Sequence, residues 1–209
     1  MSDCCSDKEC AIEALKARQS ATLKVVLAIN AVMFVVELTS GLLARSTALL
    51  SDSLDNLGDA LTYGLSLYAV ERGARSKAKV ALFKGGLIMA AGVLVLGQVV
   101  YGALHPGIPV FEAMGIVSLI ALAANGTCLA LLWKHRAEDV NMNSVWECSR
   151  NDIASNVSVF VAAGAVWLTQ SGWPDLIVGF ALAWLLLRSA IGVSASAQRE
   201  LRRSAIPAA

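Results

Sequence analysis

Charge is scarce in this sequence. Of 209 residues 16% are charged, and 17 Lys+Arg nearly balance 16 Asp+Glu, leaving a formal net charge of +1. No basic field is available to hold a polyanion, so nucleic-acid partners are excluded. The first twenty residues hold Asp3, Asp7, Glu9 and Glu13 without a continuous apolar core, which argues against a cleaved signal peptide. No nucleophile, base and oxyanion arrangement is visible either, which argues against an enzyme.

What fills the sequence instead is apolar. Hydrophobic residues make up 56% of it and the mean hydropathy is +0.62, well above the apolar share of ordinary soluble domains. Six apolar runs follow one another, Val25 to Ala44, Thr47 to Val70, Ala81 to Leu104, Ala113 to Trp133, Val140 to Thr169 and Leu176 to Val193. At about 1.5 Å per residue each can cross a hydrocarbon core of about 30 Å. The expectation is an all-α bundle of six transmembrane helices over residues 25–193, with an N-terminal Cys-containing tail over 1–24 and a short C-terminal tail over 194–209. Cations mark the sides. Lys8, Lys16, Arg18 and Lys24 precede the first span, a second group runs from Arg72 to Lys84, and Lys134, Arg136, Arg199, Arg202 and Arg203 fall on the same side, against Arg45 alone on the other. Both termini are therefore expected in the cytoplasm.

Against this background the stretch SDSLDNLGD, residues 51–59, is out of place, because it puts Asp52, Asp55 and Asp59 inside the second span. An Asp at mid-span opposes insertion by about 2.5 to 3.5 kcal/mol, so the three must face the bundle interior, carry protons or meet a cation. Asp55 and Asp59, four apart, share a helix face, with Asp52 one turn nearer the outer surface. The fifth span carries a matching pair in VWECSRNDIASNV, with Cys148 and Asp152 four apart and Asn156 one turn further. Cation counting makes these two spans antiparallel. Asp55 and Asp59 fall about 12 to 18 Å from the outer start of the second, and Asp152 about 18 Å from the inner start of the fifth.

Three carboxylates and a thiolate, two ligands from each helix, suit a tetrahedral divalent ion. Without the ion they cannot all stay ionised in a low-dielectric bundle, so metal and protons compete for the same lone pairs. Such a site, opened alternately to each side, is a proton-coupled antiporter. Glu37, a mid-span acid in the first helix, either pairs with Arg150 or takes part in proton transfer, and Asp52 and Asn156 are candidates for metal entry or proton transfer. Cys128 reads as a small buried hydrophobe. In the tail, Cys4, Cys5 and Cys10 offer soft ligands for metal capture, or bind adventitiously; their spacing is not that of a zinc finger.

The run FVVELTSGLLARSTALLSDSLDNLGDALTYGLSLYA resembles the first two membrane helices of the cation diffusion facilitator family, with Glu37 as the mid-helix glutamate, Asp52 as the leading acid and Asp55 and Asp59 as the metal ligands. Cys148-x-x-x-Asp152 matches the family's His-x-x-x-Asp on the fifth helix. The resemblance implies a proton-coupled exporter of divalent transition metals, usually zinc and often cadmium, with a metal as cargo, protons as counter-ion, no permanent cofactor, and an integral, multi-pass place in a membrane, here a bacterial inner membrane. Cys148 departs from the family pattern and should favour zinc, cadmium or mercury over manganese, magnesium or calcium. His135 reads as a solvated loop residue. The family's C-terminal cytoplasmic domain has no counterpart after Val193, so a homodimer would have to form through the membrane helices. The alternative to a transporter is a membrane accessory that binds and delivers metal through Cys4, Cys5 and Cys10; mercury uptake is a third option.

Overall fold

A backbone in lipid has to satisfy its own hydrogen bonds, and each apolar run does so as a helix. In the computed structural model these are α1 (Asp3–Ala44), α2 (Thr47–Ala69), α3 (Ala74–Leu104), α4 (Phe111–Trp133), α5 (Val140–Thr169) and α6 (Trp173–Arg203), with no strand among the described residues. The structure describes the backbone of residues 3–69, 74–133 and 140–203, and the side chains of 20–61, 63–64, 79, 82–83, 85–133, 152–199 and 201–202. Three helices outrun their apolar segments. α1 is continuous from Asp3, α3 begins at Ala74 and α6 continues to Arg203. Hydropathy stops at the lipid edge, whereas Ala, Arg, Lys, Glu and Gln carry a helix onward into water.

Among the described residues five helical segments are long and apolar enough to cross a membrane, and α2 is not one of them. Its place in the bundle explains why. α2 packs against α1, α3, α5 and α6, and Ser51, Asp52, Ser53, Leu54, Asn56 and Asp59 are all buried. A helix enclosed by four others meets protein rather than lipid, and its polar residues are tolerated only because of that enclosure. The lipid-facing load is carried by the others, which expose residues such as Leu43, Leu94, Ile116, Val161 and Leu185.

The start of α2 is fixed by a cap that comes from far along the chain. α1 ends with Arg45 in the left-handed region, φ 56°, and the Ser46 amide donates back to the Gly41 carbonyl at 2.9 Å. Ser46 Oγ accepts from the Leu49 amide at 3.1 Å as the local N-cap. Asp175, in the first turn of α6 and 2% exposed, then covers the same helix end. Its Oδ1 accepts from Ser46 Oγ at 2.6 Å and the Ala48 amide at 3.1 Å, and its Oδ2 from the Thr47 amide and Thr47 Oγ1, both at 2.8 Å. One carboxylate thereby sits at the positive ends of two helices and satisfies donors that would otherwise be orphaned.

Close backbone approach makes this possible. A Cβ on Gly179 would lie 2.7 Å from the Thr47 carbonyl carbon and 2.9 Å from the Ala48 amide nitrogen, and Ser51 Oγ donates to the Gly179 carbonyl at 2.8 Å. α3 approaches α6 in the same way, with Gly92 and Gly102 seated against Leu187 and Leu176. At this end of the bundle the Val110 amide donates to the Ala44 carbonyl at 3.0 Å and Gly172 abuts the Gly107 carbonyl, so the loops after α1, α3 and α5 meet. By the cation count this is the outer end. Asp175→Ala is expected to cost about 1 to 3 kcal/mol of stability by leaving buried donors unpaired, and Gly179→Ala to lower the unfolding midpoint as well. Thermal unfolding of the purified chain in detergent checks both; an unchanged midpoint in Asp175→Ala would mean that the cap is dispensable.

Candidate metal centre

Helical register sets what α2 offers the interior. At about 100° per residue Asp52, Asn56, Asp59 and Tyr63 fall within about 60° of one another, and all four are buried, whereas Asp55 lies at the edge of this line and is half-buried. Of the polar stripe expected from Asp52, Asp55 and Asp59, Asp52 and Asp59 are therefore buried with Asn56 beside them, and Asp55 lies on the flank. Tyr63, fully buried one turn beyond Asp59, donates its hydroxyl to Asp59 Oδ2. That fixes one carboxylate oxygen and leaves the direction of the group determined by the helix itself.

α5 brings Asp152 to the same region. It is 6% exposed, against 7% for Asp59, and α2 and α5 are in contact. Asp152 Oδ2 has no hydrogen-bond partner, and neither does Oδ1 of Asn156, whose Nδ2 donates to the Asp152 carbonyl at 2.8 Å. Counted from the outer helix ends at about 1.5 Å per residue, Asp59 lies about 18 Å deep, Asn156 about 20 Å and Asp152 about 25 Å. The second and fifth spans are thus in contact, with both acids buried in the bundle.

Two further helices complete this layer. Asn30 of α1 and Asn125 and Cys128 of α4 are each 0% exposed. Asn30 Nδ2 donates to the Val26 carbonyl at 2.9 Å and approaches Cys128 Sγ at 4.0 Å, while neither polar atom of the Asn125 side chain is hydrogen-bonded. Cys128 packs with Val26, Tyr63 and Leu132 in one apolar cluster, as a small hydrophobe would.

Nearer the outer end Glu37 of α1 is fully buried and accepts from Asn56 Nδ2 at 2.8 Å. Nothing about Asn56 in the sequence announced this bond; its position four residues after Asp52, on the acid-bearing face, was the available signal. The alternative partner for Glu37, Arg150, lies outside the described side chains, as do Cys148, Cys4, Cys5 and Cys10. Among the described residues no group of three or more His, Cys, Asp or Glu side chains is gathered closely enough to hold a metal ion.

The model of the cation efflux transmembrane domain matches residues 23–201. The metal cation efflux system protein CzcD of Cupriavidus metallidurans is 22% identical over 191 residues, covering 82% of this chain and 60% of that protein. The zinc transporter ZitB of Yersinia pestis is 27% identical over 186 residues, covering 82% and 59%. The chain thus spans about 60% of the length of these curated relatives. If Tyr63 orients Asp59 toward a metal ion, Tyr63→Phe should weaken zinc binding by about tenfold with helicity intact. Zinc titration of the purified chain measures this, and an unaltered affinity would make the hydroxyl a packing feature only.

Proposed function

The chain belongs to the cation efflux family as an integral, multi-pass membrane protein, and from that premise we propose that it exports a soft divalent ion, zinc or cadmium, from the cytoplasm in exchange for protons. Asp55 and Asp59 of α2 and Cys148 and Asp152 of α5 are the ligands in this reading. The observation that carries it is the burial of Asp59 and Asp152 on two contacting helices, with Asp152 Oδ2 left without a partner. A desolvated carboxylate oxygen with nothing to bond is costly, and either a proton or a metal ion relieves the cost.

Exchange follows from that competition. When the site faces the cytoplasm, an arriving ion takes the carboxylate and thiolate lone pairs and their protons leave. When it faces outward, protons from that side displace the ion. Alternating access needs the two faces to open in turn, and α2, in contact with four helices, transmits a shift of any of them to the acids. The printed names of the relatives, a metal cation efflux protein and a zinc transporter, and their bacterial sources support this cargo and a bacterial inner membrane. Exposed Gly86, Gly97, Gly164 and Gly192, with open space above them, support a homodimer through the membrane helices.

In vesicles with an imposed pH gradient, Asp59→Ala and Asp152→Ala are expected to abolish coupled zinc and cadmium flux, followed together with lumenal pH. Deleting the first ten residues, with Cys4, Cys5 and Cys10, is expected only to slow it. Loss of all flux on tail deletion together with silent Asp variants would instead favour the metal-delivery accessory.

A further inference from the structure

A second group of buried oxygens lies between the α2–α5 acids and the outer end of the bundle. Glu37 is 0%, Asp52 1% and Asn56 3% exposed, and each keeps one oxygen without a hydrogen-bond partner: Glu37 Oε1, Asp52 Oδ2 and Asn56 Oδ1. They form one group. Asn56 Nδ2 bonds Glu37 Oε2 at 2.8 Å and reaches the Asp52 carbonyl at 3.5 Å, so the amide joins the α1 acid to the turn of α2 that carries Asp52. With its nitrogen committed to Glu37, the amide presents its oxygen as a further acceptor.

The balance of donors and acceptors in this group is one-sided. Two carboxylates and an amide oxygen supply acceptors, and the single donor in the cluster, Asn56 Nδ2, is already used. Other nearby hydroxyls are engaged: Ser51 Oγ donates to the Thr47 and Gly179 carbonyls, and Ser53 Oγ to the Leu50 carbonyl. An acceptor-only group at this burial needs a proton or a cation, and oxygen donors from two helices suit a divalent ion.

We infer that Glu37, Asp52 and Asn56 form a second, all-oxygen divalent-cation site on the outward side of the transport site, one that takes the ion as it leaves. The inference rests on the export reading above. Position supports the order of the two sites. Asp52 lies about 8 Å and Glu37 about 10 Å from the outer helix ends, whereas Asp59 lies about 18 Å deep. Chemistry supports a direction of release. A soft ion held by the Cys148 thiolate in the deep site passes to oxygen alone, which grips it less well, and from there to water. Asp55, half-buried on the flank of the line between the two, lies within reach of both groups along the helix.

The test counts and identifies bound zinc in the full-length chain with Cys4, Cys5 and Cys10 replaced by Ser, using equilibrium dialysis and zinc X-ray absorption. A second zinc ion per chain is expected beyond the one in the deep site. Glu37→Gln and Asp52→Asn, which keep shape and hydrogen bonding, should each remove that second ion and leave one with a sulfur neighbour. Asp59→Asn should remove the sulfur-bound ion and leave one with oxygen neighbours only, at about 2.0 to 2.2 Å. A single zinc ion, lost in Asp59→Asn and retained with its sulfur in Glu37→Gln, would overturn the second site while leaving the transport site standing. Absence of zinc from every form of the chain would overturn the export reading and this inference with it.

Discussion

Carboxylates buried away from water govern this molecule. Glu37, Asp52, Asp59 and Asp152 are at most 7% exposed, inside a bundle whose outer surface is built for lipid. A buried carboxylate is costly when ionised, and a proton or a cation relieves the cost. Everything that fixes α2 in the bundle therefore also bears on the exchange proposed above.

Two structural devices hold α2 where its acids stay buried. One is enclosure by α1, α3, α5 and α6, which frees the helix from the hydropathy that lipid contact would impose. The other is the Asp175 cap, where α6 supplies the charge that settles the N-terminus of α2 and Gly179 lets the two backbones touch. An acid is thus used twice in this fold, with opposite logic. Asp175 is saturated by donors and serves stability, whereas Asp152 and Asp52 each keep one oxygen without a hydrogen-bond partner, and the proposed binding rests on that.

Much of the architecture was legible in the sequence because lipid acts on single segments: six runs of the right length give six helices, and antiparallel order follows from alternation. The acid stripe was legible for the same reason, since spacing along one helix needs no partner. What escaped was contact between segments distant in the chain. The Asp175 cap joins residues 128 positions apart, and a carboxylate in a first helical turn gives no sign of which other helix it covers. Asn56 escaped because an amide between two acids looks like filler until α1 brings Glu37 against it. Tyr63 reads as a polar tip on an apolar helix until its hydroxyl meets Asp59. Asn30 of α1 approaches Cys128 of α4, whereas neither polar atom of the Asn125 side chain is hydrogen-bonded among the described residues.

If competition between protons and metal for these buried oxygens is what the fold exists to arrange, the two must be exchanged in a measurable ratio. Calorimetry of zinc binding to the purified chain, run in buffers that differ in ionisation enthalpy, reads the protons released per ion. The account predicts net proton release on binding, together with zinc affinity that falls as pH is lowered and with both effects diminished when Asp59 and Asp152 are changed to Asn. Zinc binding that releases no protons, at an affinity independent of pH, would contradict it.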